Sequence, residues 1–113
     1  MNVKNLTETL KLRNLTGKGE EKNVTGVYVC DLLSRVMSGC NQGNVWITVQ
    51  THLNTLAVAE LNDAACIVIP EAIEVEETTV ERAGEKEIAL LSSELSAYEL
   101  CWRIHCMLDK DEI

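Results

Sequence analysis

Four polar stretches follow apolar runs in this sequence: Cys30-Asp31, Gln50-Thr51-His52, Pro70-Glu71 and Ser92-Ser93-Glu94. Their side chains could do chemistry. The hydroxyls of Thr51, Ser92 and Ser93 donate and accept hydrogen bonds, and so does the Gln50 amide. The His52 imidazole is a donor or an acceptor near neutral pH. The Asp31 carboxylate accepts from N–H and O–H groups. Together they suit a small ligand with anionic or carbonyl groups. Thr25 and Gly26 form a second set. Gly26 interrupts a strand-like run, which calls for a bulge or for a partner or ligand backbone passing close.

Signatures of bond-breaking chemistry are missing. There is no G-x-x-x-x-G-K-[ST], no G-x-G-x-x-G and no H-E-x-x-H. No G-x-S-x-G elbow occurs, and the two glycines of "MSGCNQGN" follow a helical pattern rather than a strand. Cys101 and His105 stand at i,i+4 on one helical face, but two ligands do not make a metal site. No catalytic residue, cofactor or metal is expected.

The elements that position these residues can be read from periodicity. "VKNLTETLKL" sets Val3, Leu6 and Leu10 on one helical face. "RNLTG" reads as a short strand. "VTGVYVC" is β-branched and aromatic, hence a strand. Asp31 can cap the following helix, "LLSRVMSG". "VWITV" is a continuous apolar run, typical of a strand buried on both faces. Thr51 then caps a helix whose stripe is Leu53, Leu56, Ala57 and Leu61. "CIVIP" is another buried strand. "ETTVERAGEKE" reads as a solvated acidic helix, weakened by Gly84 and by Glu77 opposing Glu81. "IALLS" is the last strand, and Ser93 is placed to cap the last helix, "SSELSAYELCWRIHCML". The tail "DKDEI" is expected to fray.

Strands alternating with helices imply right-handed βαβ units. The expected fold is therefore a three-layer α/β/α domain spanning residues 1–113, with a mixed, mostly parallel sheet. In such a sheet the four polar strand ends share one edge, where ligands bind. The last helix has two stripes. Ala97, Leu100, Cys101, Ile104 and Leu108 can face the sheet. Tyr98, Trp102 and His105 fall elsewhere, as a partner surface would. A symmetric homodimer is the simplest partner. Deeper burial of the helix is the alternative.

Composition narrows the function classes. The formal charge of -8 speaks against a nucleic-acid surface, which needs Lys and Arg against phosphates. It permits a small anion held by local backbone N–H groups. No run approaches the ~20 apolar residues of a membrane helix. "MNVKNLTETLKL" lacks the apolar stretch of a signal peptide. Five cysteines, with no C-x-x-C spacing, read as reduced thiols in a cytoplasmic protein.

Over nearly its whole length the chain resembles the DRTGG domain family. The likeness lies in "NVTGVYVCDLLSRVM", "GNVWITVQTHLNTLAVA", "ACIVIPEAIEVEE" and "LLSSELSAYEL". Thr25-Gly26 matches the naming motif, whereas Val27 replaces its second glycine and the preceding Asp-Arg is absent. The family is similar to the N-terminal domain of HPr kinase/phosphorylase. It also occurs between CBS domains of regulatory pyrophosphatases, and as stand-alone proteins beside iron-only hydrogenases. The resemblance implies a regulatory or accessory role, with catalysis elsewhere. The leading expectation is a non-catalytic, dimerising module that senses a small anionic metabolite or nucleotide. The alternatives are an interaction subunit without a ligand, for example of a hydrogenase system, and a small enzyme.

Overall fold

The apolar runs of the sequence become strands, and the amphipathic stretches between them become helices. The computed structural model describes the backbone of residues 1–112 and the side chains of residues 1–110. In chain order the elements are α1 (Val3–Leu10), β1 (Arg13–Asn14), β2 (Gly26–Val29), α2 (Leu33–Gly39), β3 (Asn44–Ile47), α3 (Asn54–Leu61), β4 (Cys66–Ile69), α4 (Glu77–Glu85), β5 (Leu90–Ser92) and α5 (Ala97–Glu112). The strands form one sheet in the order β1-β5-β4-β3-β2. β2, β3, β4 and β5 are parallel, and β1 returns antiparallel to β5. This is the mixed, mostly parallel three-layer fold that the sequence predicts.

Strand alternation divides the core. Val45, Ile47, Cys66, Val68 and Leu91 point to one face, where Leu6 of α1 and Leu100 and Ile104 of α5 cover them. Trp46, Ile67, Ile69 and Leu90 point to the other, under Val36 of α2, Leu56 of α3 and Ala83 of α4. β3 and β4 are buried on both faces, which is why they read as unbroken apolar runs. Trp46 is fully buried, and its indole Nε1–H donates to the Cys30 carbonyl at 2.9 Å. α4 survives its Glu77–Glu81 repulsion because Thr79 and Ala83 are buried beneath it.

The helix caps differ from expectation. α2 has Leu32 as its N-cap residue and no side-chain cap, and Asp31 turns instead toward β3. α3 starts at Asn54, so Thr51 lies too far upstream to cap it. Ser93 Oγ accepts from Leu95 N–H in the loop, while Ser96 Oγ serves the first turn of α5 through Glu99 N–H. For Asp31 and Ser93 a tertiary or loop hydrogen bond outcompetes the local cap. In the tail, α5 continues through Glu112, and Ile113 lies outside the described residues.

Candidate functional site

The parallel sheet carries all four polar strand ends to its carboxyl edge, but they fall into two groups. The first centres on Asp31. Its Oδ1 accepts from Thr48 Oγ1 at 2.8 Å and from Val49 N–H at 3.0 Å. Gln50 Nε2 donates to the Asp31 carbonyl at 3.1 Å. These bonds tie the end of β2 to the end of β3. Nearby, His52 Nδ1 accepts from Asn54 N–H at 3.2 Å. Asp31, Gln50 and His52 are thus engaged in holding loops, and Thr51 sits half-buried between them.

The second group lines a groove of about 800 Å³. Ser92 and Ser93 form part of its floor at the end of β5. Leu10 and Lys11 come from the end of α1, Arg13 from β1, Glu77 and Val80 from α4, and Ala72 to Val75 from the loop after β4. Lys11 ends α1 in a left-handed conformation with φ 54°, and this turns the chain into β1 beside the groove. The side chains of Lys11 and Arg13 have no ion-pair or hydrogen-bond partner among the described residues. Glu74, Glu77 and Glu94 also line the groove, so its polar lining carries both signs of charge.

One wall is a strained turn. Glu71 and Ala72 are consecutive left-handed residues, with φ 60° and 54°, and Ile73 N–H reaches back to the Pro70 carbonyl at 3.3 Å. Two positive φ angles are the pattern of a type I′ turn, which favours Asn or Gly. Here the turn is pinned from outside. Glu71 N–H donates to the Leu95 carbonyl and Ala72 N–H to the Ser93 carbonyl, at 2.9 and 2.7 Å. The ends of β4 and β5 are thereby stapled into one rigid lip.

Thr25 and Gly26 lie at the opposite, amino edge of the sheet. Thr25 Oγ1 donates to the Gln42 carbonyl at 2.8 Å and accepts from Asn44 Nδ2 at 3.3 Å. A Cβ on Gly26 would stand 3.1 Å from Asn44 Nδ2. The close approach that Gly26 permits is therefore made by the protein itself. Beside them is a hollow of about 270 Å³ that includes Lys22, Gln42 and Asp63. Hydrogen bonds from Lys22, then from Gln42, hold the Asp63 carboxyl below its usual range.

Sequence reasoning did not single out Lys11 and Arg13. A cation next to a short apolar helix carries no signal, and only the antiparallel return of β1 brings the pair beside Ser92. Three of the five thiols are placed as inert groups. Burial pushes Cys66 up to about 12 and raises Cys40 and Cys101. Cys101 packs against the core and His105 Nε2 faces Asp109 Oδ2 at 3.2 Å. Among the described residues no group of three or more His, Cys, Asp or Glu could hold a metal ion.

No protein-family model matches the chain, and no curated protein matches it in sequence. Among solved structures it is similar to the CBS and DRTGG domains of the regulatory region of a Clostridium perfringens pyrophosphatase, complexed with its activator, diadenosine tetraphosphate. The TM-score is 0.69 at 11% identity, over 88% of this chain and 44% of that one. The fold is DRTGG-like. The chain spans less than half of that regulatory region, so the activator remains a property of the larger protein. Among the described residues no helix is long and apolar enough to cross a membrane.

Proposed function

We propose that the chain is a non-catalytic regulatory module that binds a small anionic metabolite of the nucleotide class in the groove at the end of β5. The groove itself carries this reading. Its volume lies within the ~300–1,000 Å³ of small-molecule sites. Leu10, Ile73, Val75 and Val80 offer apolar walls for a base or similar ring. Lys11 and Arg13 are cations without a partner among the described residues and suit phosphate oxygens, and Ser92 supplies a hydroxyl. Glu74, Glu77 and Glu94 can accept from ribose hydroxyls or exocyclic amines. The nucleotide activator of the structural neighbour agrees with this ligand class. Asp31, Gln50, Thr51 and His52 are scaffold for the same edge in this reading, and Ser92 and Ser93 are the contacts. Thr25 and Gly26, on the far edge, take no part.

A thermal-shift screen against nucleotides, dinucleotides and phosphorylated metabolites tests it. A ligand at 100 times its Kd should stabilise by ~2.7 kcal/mol, a clear rise in Tm. Arg13→Ala should remove the rise while leaving the mass in solution unchanged. A flat screen would sink the sensor and leave the second reading.

That second reading is a protein-interaction subunit, which self-association through α5 would also serve. The motivating observation is the aromatic stripe. Tyr98 and Trp102 are 77% and 45% exposed, with the Arg103 guanidinium 4.9 Å from the Trp102 ring centre. His105, on the same stripe, is exposed as well. Such rings are costly to leave in water without a partner. Trp102→Ala should lower the mass in solution. A wild-type chain that is already monomeric at high concentration removes the homodimer.

A further inference from the structure

We infer that β2 is the assembly edge of the molecule, and that a second copy of the chain adds its own β2 antiparallel to it, joining two sheets into one. The inference rests on the self-association reading and moves its contact from the α5 stripe to the β2 edge, so Trp102→Ala should leave the mass unchanged.

The hydrogen-bond pattern shows which groups β2 leaves open. Thr48 N–H donates to the Val68 carbonyl at 3.2 Å, so the backbone polar groups of Thr48, and by alternation Trp46, face β4. Those of Val45 and Ile47 then face β2. In the parallel register Val27↔Val45 and Val29↔Ile47, they bond the residues flanking Val27 and Val29. The N–H and C=O groups of Val27 and Val29 are left pointing out of the sheet, on the edge strand, with no partner among the described residues. Upstream the edge is closed, because Val24 N–H donates to the Met1 carbonyl at 2.9 Å. The open stretch is therefore Gly26–Val29.

Natural edges are normally blunted by charge, Pro or a very short strand. "GVYV" has neither charge nor Pro, and Val29 is 49% exposed. The same four residues suit a copy of themselves. With the two-fold axis at Tyr28, Val27 of each chain lies opposite Val29 of the other. Both valines exchange N–H and C=O, giving four inter-chain hydrogen bonds. Tyr28 faces Tyr28 at the closer, non-bonded position, where aromatic pairs are favourable. Two chains of charge -8 repel over most of their surfaces. This segment can meet its twin without placing like charges opposite each other.

Light scattering on the full chain, with amide hydrogen exchange, tests the inference. The wild type should weigh twice 12.6 kDa and protect the Val27 and Val29 amides. Val29→Lys should weigh 12.6 kDa, keep a cooperative melt, and lose that protection. Val29→Pro should act alike, since its missing N–H is one that points outward. A wild type of single mass overturns both the dimer and the edge. A Val29→Lys variant of double mass, or a double-mass wild type with fast-exchanging Val27 and Val29 amides, overturns the edge alone. Loss of assembly in Trp102→Ala would then leave α5 as the contact.

Discussion

Cys66 shows what one buried atom does to pH dependence. Its thiol sits in the middle of the sheet, and burial raises it from about 9 to about 12. The folded chain therefore keeps a proton that the unfolded chain releases. Stability from this group is fully present below pH 9 and declines between pH 9 and 12, by about 1.4 kcal/mol per pH unit. Urea unfolding at stepped pH should show the decline. Cys66→Ala should flatten it by one proton, whatever that change costs at neutral pH. Cys40 and Cys101 are shifted the same way and leave a residual slope. An unchanged slope in Cys66→Ala would mean that the site is wetter than its packing implies. Asp31 teaches a different lesson at the same scale. The sequence marks it as a cap, yet it bonds Thr48 and Val49 across the sheet edge. Thr48 is itself buried, and an unpaired buried hydroxyl costs more than an unmet cap.

Two glycines separate tolerance from necessity among the elements. At Gly84 of α4 an added Cβ would meet nothing within 4 Å. Gly84→Ala should therefore stabilise by up to about 1 kcal/mol. At Gly39, the last residue of α2, it would lie 2.5 to 2.8 Å from the Tyr28 hydroxyl and ring. Gly39→Ala should cost about 1–3 kcal/mol, because Tyr28 is held by its bond to the Arg35 carbonyl. Urea midpoints compare the two directly. Equal midpoints would mean that Tyr28 can swing aside, loosening the α2–β2 contact. Nothing in "SRVMSGC" distinguishes this glycine from the other, since the ring that fills its space is eleven residues away. The turn at Glu71-Ala72 was equally silent. Neither residue favours positive φ, and the carbonyls of Ser93 and Leu95 that hold the turn arrive from another strand end.

At the scale of the whole molecule, legibility followed the range of the interactions. Apolar runs and the helices between them let β2 to β5 be read as strands of a mostly parallel sheet, while their order, β5-β4-β3-β2, came only from the structure. The two stripes of α5 were also legible, with Leu100 and Ile104 buried and Tyr98 and Trp102 exposed. β1 was the limit. Two residues long and antiparallel, it is defined only by pairing Arg13 with Ser92 and Asn14 with Leu91. That pairing closes the groove and brings Lys11 and Arg13 to it, so the most suggestive part of the site was hidden with it. The rest of the carboxyl edge was correctly located, though its polar residues mostly hold one another.

The placement of the two tryptophans has an optical consequence. Trp46 is sealed in the core with its indole N–H bonded, while Trp102 lies on the surface under a guanidinium. Their emission should separate into a blue component that acrylamide barely quenches and a red one that it quenches readily. Unfolding shifts the first, and a partner on α5 shields the second. The protein thus carries one lamp inside and one outside, and a single spectrum can tell loss of structure from loss of company.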